Sequence, residues 1–391
     1  MAGRRGERGA GKYCALWMVG GGPESDIVVS SRVRLARNLR GVPFPHRAGE
    51  ERLQAVLDGV RQAVAATPSI GPTEMLSLTS VSALDRQLAV EEHLTSPQHI
   101  QEPRGKALVL NRDRSVCIMV NEEDHIRIQA ILPGLQVDEA LRLASVADDA
   151  LEETLDYAYD EDLGYLCACP TNVGTGLRSS AMLHLPALAA VNMLGQVLAS
   201  VSKVGLAVRG IYGEGTEAVG NMFQVSNQVT MGRSESEIVA HLKAVTRQIV
   251  DSERNARSAI MSDARSQLED RVYRSYGILT NARMISSEEA LKLTSDVRLG
   301  VDLGLIPDLA SALLTALSVD IMPAHVQRFV GRELNAWERD VYRATLIRER
   351  LGAAGPGGGA GATSSQCPGV GTGPGTSTHG DDAGPNAGKE G

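Results

Sequence analysis

The chain has 391 residues, 43% of them apolar and 22% charged, with a formal net charge of -8 and a pI near 5.6. That length and apolar share can bury a full core, while the acidic balance argues against a general nucleic-acid-binding surface, so any anion site has to be local. Five cysteines, Cys14, Cys117, Cys167, Cys169 and Cys367, form an odd, scattered set with no paired framework, as expected of free thiols in a reducing cytoplasm, and Cys167 with Cys169 lacks the second ligand pair of a zinc site.

Residues 1–25 are rich in glycine and charge and read as a disordered extension, apart from Trp17 and its neighbours, which are expected to dock on the body. The apolar run Cys14–Val19 is too short for a secretory signal and meets Gly20–Gly22 without a cleavage pattern. Asp26–Leu35 alternates and is β-branched, so Arg32 and Arg34 share one face of a strand, where two cations repel. Residues 107–120 and 125–132 read as a hairpin around the Asn121–Asp124 turn, which would present Glu122 and Glu123 near one end. Val137, Leu141, Ala144, Leu151, Leu155 and Tyr159 follow helical spacing, with Asp138 as the expected cap, and Leu163–Cys169 reads as a short buried strand.

Leu185–Val208 is about long enough to cross a bilayer, but Asn192, Gln196, Ser200, Ser202 and Lys203 make a buried core helix over 186–203, ended by Gly205, the better reading. Strands are expected at Leu206–Tyr212 and Phe223–Met231, separated by a glycine-rich loop over 213–220. Ser234 with Glu237 and Ser286 with Glu289 have the spacing of capping boxes, and from about 234 onward the pattern is helical, including 307–317 and 333–351. From Gly352 to Gly391 the chain lacks the large apolar residues that would offset its ordering entropy. The order predicts an α+β fold, an antiparallel sheet flanked by helices over residues 26–260, then a helical domain over 261–351 and a disordered glycine-rich tail over 352–391.

Two stretches carry most of the chemistry: Asn121-Glu-Glu-Asp-His125 and Cys169-Pro-Thr-Asn-Val-Gly-Thr-Gly-Leu-Arg178. With Ser30-Ser-Arg-Val-Arg34, Arg209-Gly-Ile-Tyr-Gly-Glu-Gly-Thr-Glu217 and Val225-Ser-Asn-Gln228, the chain resembles the ATP:guanido phosphotransferase family, and within it the bacterial protein-arginine kinases of the McsB type. No Walker A lysine loop or protein-kinase glycine loop is present in the sequence.

The resemblance implies ATP with Mg²⁺, bound by Ser31, Arg32, Arg34, His93, Arg127, Arg178, Arg209, Gly210, Gly213 and Glu214, and no protein-held metal. Planar guanidinium forks that stay charged suit phosphate oxygens. It places Glu122, Glu123, Glu214 and Cys169 in the catalytic machinery: carboxylates to hold a planar guanidinium and take its proton, and a thiolate as electrostatic support. Because adjacent strand residues face opposite ways, Glu123 is favoured as the base and Glu122 for a supporting or metal-water role. Tyr212 stands where arginine kinases carry another phosphate-binding arginine.

Small-molecule guanidino kinases carry a domain of on the order of a hundred residues ahead of the first arginine strand, and here only residues 1–25 precede it, so the pocket is expected to admit an arginine on a polypeptide. Arg339-Asp-Val-Tyr-Arg-Ala344 matches the McsB-type phosphoarginine-binding motif, which implies an allosteric site of Arg339, Asp340, Arg343 and Ala344. Also implied are a cytoplasmic homodimer without membrane or direct nucleic-acid contacts, protein substrates with exposed arginines, and partners in the Clp protease machinery and a heat-shock repressor, the phosphoarginine marking proteins for proteolysis under stress. Two rival readings remain, a small-molecule guanidino (arginine) kinase and a non-catalytic phosphoarginine-binding adaptor.

Overall fold

The computed structural model describes residues 14–66, 70–211 and 218–352. In chain order the strands are β1 (Val28–Arg37), β2 (Thr73–Ser77), β3 (Ala107–Asn111), β4 (Val116–Val120), β5 (Ile126–Pro133), β6 (Tyr159–Asp160), β7 (Gly164–Tyr165), β8 (Leu177–His184), β9 (Leu206–Gly210) and β10 (Met222–Asn227). The helices are α1 (Glu50–Ala65), α2 (Ala83–Glu91), α3 (Pro97–Gln101), α4 (Val137–Glu152), α5 (Pro186–Ala190), α6 (Leu194–Lys203), α7 (Glu235–Asp263), α8 (Arg265–Asn281), α9 (Ser287–Asp302), α10 (Ser311–Asp320), α11 (Pro323–Val330) and α12 (Ala336–Gly352).

Eight strands form one antiparallel sheet in the order β2-β3-β4-β5-β1-β8-β10-β9. Its register decides where the arginines go. Arg34 lies opposite Gln129 of β5 on one side and Arg178 of β8 on the other, and Gln224 of β10 lies opposite Arg209 of β9. Since side chains two apart share a face, Arg127, Arg32, Arg34, Arg178 and Arg209 are all presented on one face of the sheet. The α+β architecture with an antiparallel sheet flanked by helices is the one anticipated.

One apolar core, running from Ile27 to Ala256, packs α1, α4 and α7 against the sheet, and a second, from Leu268 to Leu351, joins α8, α9, α10 and α12. On the arginine side of the sheet, Ala15, Trp17 and Met18 pack with Leu94, Met119, Ile131 and Val319. The segment before β1 therefore docks on the body, with Trp17 1% exposed, stacked on His93 and donating its Nε1–H to Glu92 O at 3.0 Å.

Several local expectations need correction. Residues 107–120 are two strands, because Asp113 Oδ1 accepts both the Ser115 backbone N–H at 3.1 Å and its hydroxyl at 2.7 Å and Arg114 sits at φ 56, closing a turn between them. Asp138 does not cap α4; the N-cap is Gln136, without a side-chain bond, while Asp138 pairs with Lys243 and the helix stops at Glu152. Only Gly164–Tyr165 of 163–169 is strand. The helix expected over 186–203 is two, broken at Asn192 with φ 56, and the second is largely exposed, with only Val201 buried. Strand β10 ends at Asn227, four residues early. The capping box at Ser234 and Glu237 is complete, and Ser286 caps α9. Cys117, Cys167 and Cys169 are free, whereas Cys14 is disulfide-bonded, so the expectation of free thiols holds for three.

Two stability predictions arise from the packing. Arg37 is 1% exposed on β1, with Nη2 2.5 Å from Asp148 Oδ2, Nη1 donating to Thr175 O at 2.9 Å, and its fork 3.5 Å over the Tyr165 ring. Asp148→Ala leaves that buried cation only the more distant Glu235, 3.7 Å away, and a loss of about 3 kcal/mol is expected in urea unfolding. The second concerns pH. Burial disfavours the charge on His325, but Glu91 and Glu92 outweigh it and raise its pKa to about 9. A histidine raised in the folded state contributes stability that is complete below its unfolded pKa and lost as pH rises through the folded value. Burial lowers His93 to about 3, helped by Arg32, and His99 to about 4, and that contribution is lost as pH falls below the ordinary histidine range. The melting temperature is therefore expected to peak near neutrality, and His325→Gln is expected to flatten only the alkaline decline between about pH 6.5 and 9.

Candidate active site

The five arginines meet two adjoining cavities that share Arg34 and Gln224. The smaller, about 240 Å³, is bounded by Arg34, Glu123, Arg127, Cys169, Arg178 and Arg209. The larger, about 570 Å³, takes in Arg32, Arg34, His93, Ser96 and apolar side chains. Both open on the same face of the sheet.

Each arginine is held differently. Arg32 Nη2 donates to Gln224 Oε1 at 2.7 Å. Arg178 donates to Asn172 Oδ1 at 3.2 Å, to Asn227 O at 2.8 Å and to Thr171 Oγ1 at 3.0 Å, so it is braced by both the Cys169 turn and β10. Arg34 stands at the centre, and its Nε is buried without a hydrogen-bond partner. Burial and repulsion from Arg32 and Arg127, opposed by Glu122, hold Arg34 well below the ordinary arginine value, with Arg178 adding to the fall. Burial, opposed by Cys117 and reinforced by Arg127, pushes Arg32 down to about 10. A buried donor without an acceptor, crowded by like charges, is the signature of a site that completes itself with an anion.

The two glutamates follow β4 at the tight turn opened by Asn121, at φ 61, whose amide donates to Gly105 O at 2.7 Å and Leu53 O at 3.0 Å. They part company in burial, although both lie in the turn between β4 and β5, where strand alternation does not apply. Glu122 is 6% exposed in its side chain, pairs with Arg127 Nη1 and accepts from Ser96 Oγ. Glu123 is 47% exposed and lies 3.1 Å from Arg127 Nη2. The Arg127 fork thus bridges both carboxylates. Ser96 is the N-cap of α3 and accepts the His99 N–H at 3.0 Å, which leaves its own proton for Glu122.

Cys169 is partly exposed, with Sγ 3.1 Å from Thr171 Oγ1. The turn after it is fixed by glycines: Gly174 sits at φ 113, where a Cβ would come within 2.6 Å of Thr230 O, and Gly176 at φ 66, within 2.6 Å of Ala36 O. Thr230 Oγ1 donates to Val173 O at 2.7 Å. Only glycine lets the turn lie so close to β1 and to the segment that follows β10.

Some anticipated residues are placed elsewhere. Ser31 faces away from the arginines, since its neighbour Arg32 takes the cleft face, and its hydroxyl donates to Gly134 O at 2.7 Å. Gly210 pairs with Phe223 at the end of β9. Gly213, Glu214 and Tyr212 lie outside the described residues. The Arg339–Ala344 motif does not converge on an open anion site. Arg343 is 1% exposed and donates to Ile321 O at 2.7 Å, Ile285 O at 2.9 Å and Asp340 Oδ1 at 2.5 Å; Arg339 donates to Leu334 O at 2.9 Å, and Ala344 is core. Asp340 thus takes the guanidinium of its own helix. Ser96 and Gln224 were missed: a Ser-Pro N-cap is legible at Ser96, but its contact with Glu122 is not. Among the described residues no three His, Cys, Asp or Glu side chains cluster as a metal site.

Residues 55–256 match the family model of the ATP:guanido phosphotransferase C-terminal catalytic domain, and residues 265–359 that of the protein-arginine kinase McsB C-terminal domain. A protein-arginine kinase of Symbiobacterium thermophilum is 55% identical over 86% of this chain and 96% of that protein, and one of Bacillus subtilis is 48% identical over 86% and 93%. In structure the chain is similar to lombricine kinase, with a TM-score of 0.54 at 23% identity over 65% of this chain and 74% of that one.

Proposed function

The chain belongs to the ATP:guanido phosphotransferase family and, within it, to the protein-arginine kinases; from that premise we propose how its own residues transfer the γ-phosphate of ATP to an arginine of a protein. Arg32, Arg34, Arg127, Arg178 and Arg209 bind the triphosphate, with the stranded Nε of Arg34 as the donor that most needs it. Mg²⁺ arrives on the nucleotide phosphates and offsets part of their charge. Glu122, fixed by Ser96, keeps Arg127 in place, and Glu123 orients the acceptor guanidinium and takes its proton. A guanidinium nitrogen forms the bond to the γ-phosphorus as the bond to the β,γ-bridging oxygen breaks, ADP leaves, and the nitrogen's proton passes to the Glu123 carboxylate. Cys169, on the acceptor side, supports the guanidinium without covalent bonding to phosphate.

The observation that carries a polypeptide acceptor is the asymmetry of the site. The Arg34 end is half-buried, whereas Glu123 is 47% exposed and Arg209 lies at the surface, so the acceptor end meets solvent where a chain can run past. Incubation with casein, Mg²⁺ and ATP, followed by mass spectrometry at neutral pH, is expected to find phosphoarginine, because acid would cleave the P–N bond. Free arginine accepting phosphate as fast as casein would overturn the polypeptide reading. Family membership alone supports the further proposals that the product marks proteins for Clp-dependent proteolysis under stress, that a heat-shock repressor is among the partners and that the enzyme works as a homodimer. Family membership likewise supports a cytoplasmic location; among the described residues no helix is long and apolar enough to cross a membrane.

A further inference from the structure

We propose that the C-terminal helical unit forms part of the nucleotide site, its segment Met322–Ala324 walling the nucleoside cavity, and that Glu91 is the positioning residue that holds the wall in place. The inference rests on the reading of the arginine cluster as the phosphate site.

The phosphate chain fixes the direction. Arg34 borders both cavities, and the acceptor groups Glu123 and Cys169 border only the smaller. A nucleotide with its γ-phosphate beside Glu123 therefore runs its base and ribose into the larger, whose volume of about 570 Å³ is ample for them. One side of that space comes from the sheet and α2. The other is Met322, Pro323, Ala324 and Gln327, at the start of α11.

What fastens this wall is a buried carboxylate. Glu91, the last residue of α2, is 5% exposed and accepts the Ala324 N–H at 2.8 Å and the His325 N–H at 3.1 Å, with its Oε2 2.7 Å from His325 Nδ1. It thereby satisfies the amides that open α11, and because α2 belongs to the catalytic half, it clamps the two halves together beside the cavity. Arg328, one turn further along α11, pairs with Asp85 in the first turn of α2, and the carbonyl of Ile321, just ahead of the wall, is held by Arg343. Met322 and Pro323 are only half-buried, and the space they face is the cavity.

The test uses the full chain. Photolabelling with 8-azido-ATP and Mg²⁺ is expected to place an ATP-protectable adduct within residues 322–327. Glu91→Gln, which keeps the shape but loses the charge, is expected to raise KM for ATP about tenfold while kcat at saturating ATP and KM for the protein acceptor stay within about twofold. A merely structural loss would lower the active fraction and leave KM for ATP unchanged. Should Glu91→Gln fail to fold, Met322→Trp, which fills the cavity from the wall side, is expected to give the same selective rise. Labelling confined to the sheet, or an unchanged KM for ATP in the variants, overturns the inference and leaves the kinase reading intact. Absence of protectable labelling in the unmodified protein removes both.

Discussion

Arg34→Met is expected to cost at least about 10³-fold in phosphoryl transfer and at the same time raise the melting temperature of the ligand-free protein. Arg34 is half-buried between β5 and β8, with an unpartnered Nε and the cations Arg32, Arg127 and Arg178 around it. Among the described residues the carboxylate that offsets that crowding is Glu122, which is already shared with Arg127. Methionine keeps the apolar stem and removes the charge. Replacing a poorly compensated ionic group by a packed apolar one is expected to gain about 1–2 kcal/mol, toward the low side because cleft water still reaches the fork. Differential scanning calorimetry with and without Mg-ATP decides it: ligand should raise the melting temperature of the unmodified protein and not that of the variant. A variant that melts lower would mean that Arg34 is held by its fold rather than kept for a ligand.

Glu123→Gln is expected to lower kcat by about 10²–10⁴-fold, the usual worth of a positioned general base, with stability changed by no more than about 0.5 kcal/mol. The side chain is 47% exposed and its single ion pair, to Arg127 at 3.1 Å, is of the kind that contributes little. Glu122→Gln should behave differently. That carboxylate is 6% exposed and is gripped by Arg127 and Ser96, so the variant is expected to lose stability and ATP affinity as well as rate. Steady-state kinetics on casein, paired with thermal melts of both variants, separates the two roles. If Glu123→Gln kept full activity, the proton would have to leave by another route.

Much of the site was legible as pairs and not as a whole. Alternation alone put Arg32 and Arg34 on one face, because a strand's period is a local property of the backbone, whereas Glu122 and Glu123 were expected to alternate and instead diverge within the turn after β4. Ser31 shows the same rule catching an error: as the neighbour of Arg32 it had to face the other way, and it does, toward Gly134. Local turn chemistry was harder to weigh, so Asp113 and Arg114 split one expected strand in two and Asn192 split one expected helix. The Arg339–Ala344 spacing was readable as a face of α12, but that Arg343 would be consumed by the carbonyls of Ile285 and Ile321 depended on loops packed from elsewhere.

By itself the sequence determined which groups are available, namely permanent cations, adjacent carboxylates and glycines that permit close turns, and which face of its own strand each arginine takes. The tertiary structure decided that β5, β1, β8, β10 and β9 lie side by side, so that arginines far apart in the chain crowd round one unpartnered nitrogen, and that α11 closes the far side of the same cleft. The reason is physical: side-chain direction follows from the residue's own backbone angles, whereas strand order and helix docking follow from burying both cores at once, which no short segment encodes.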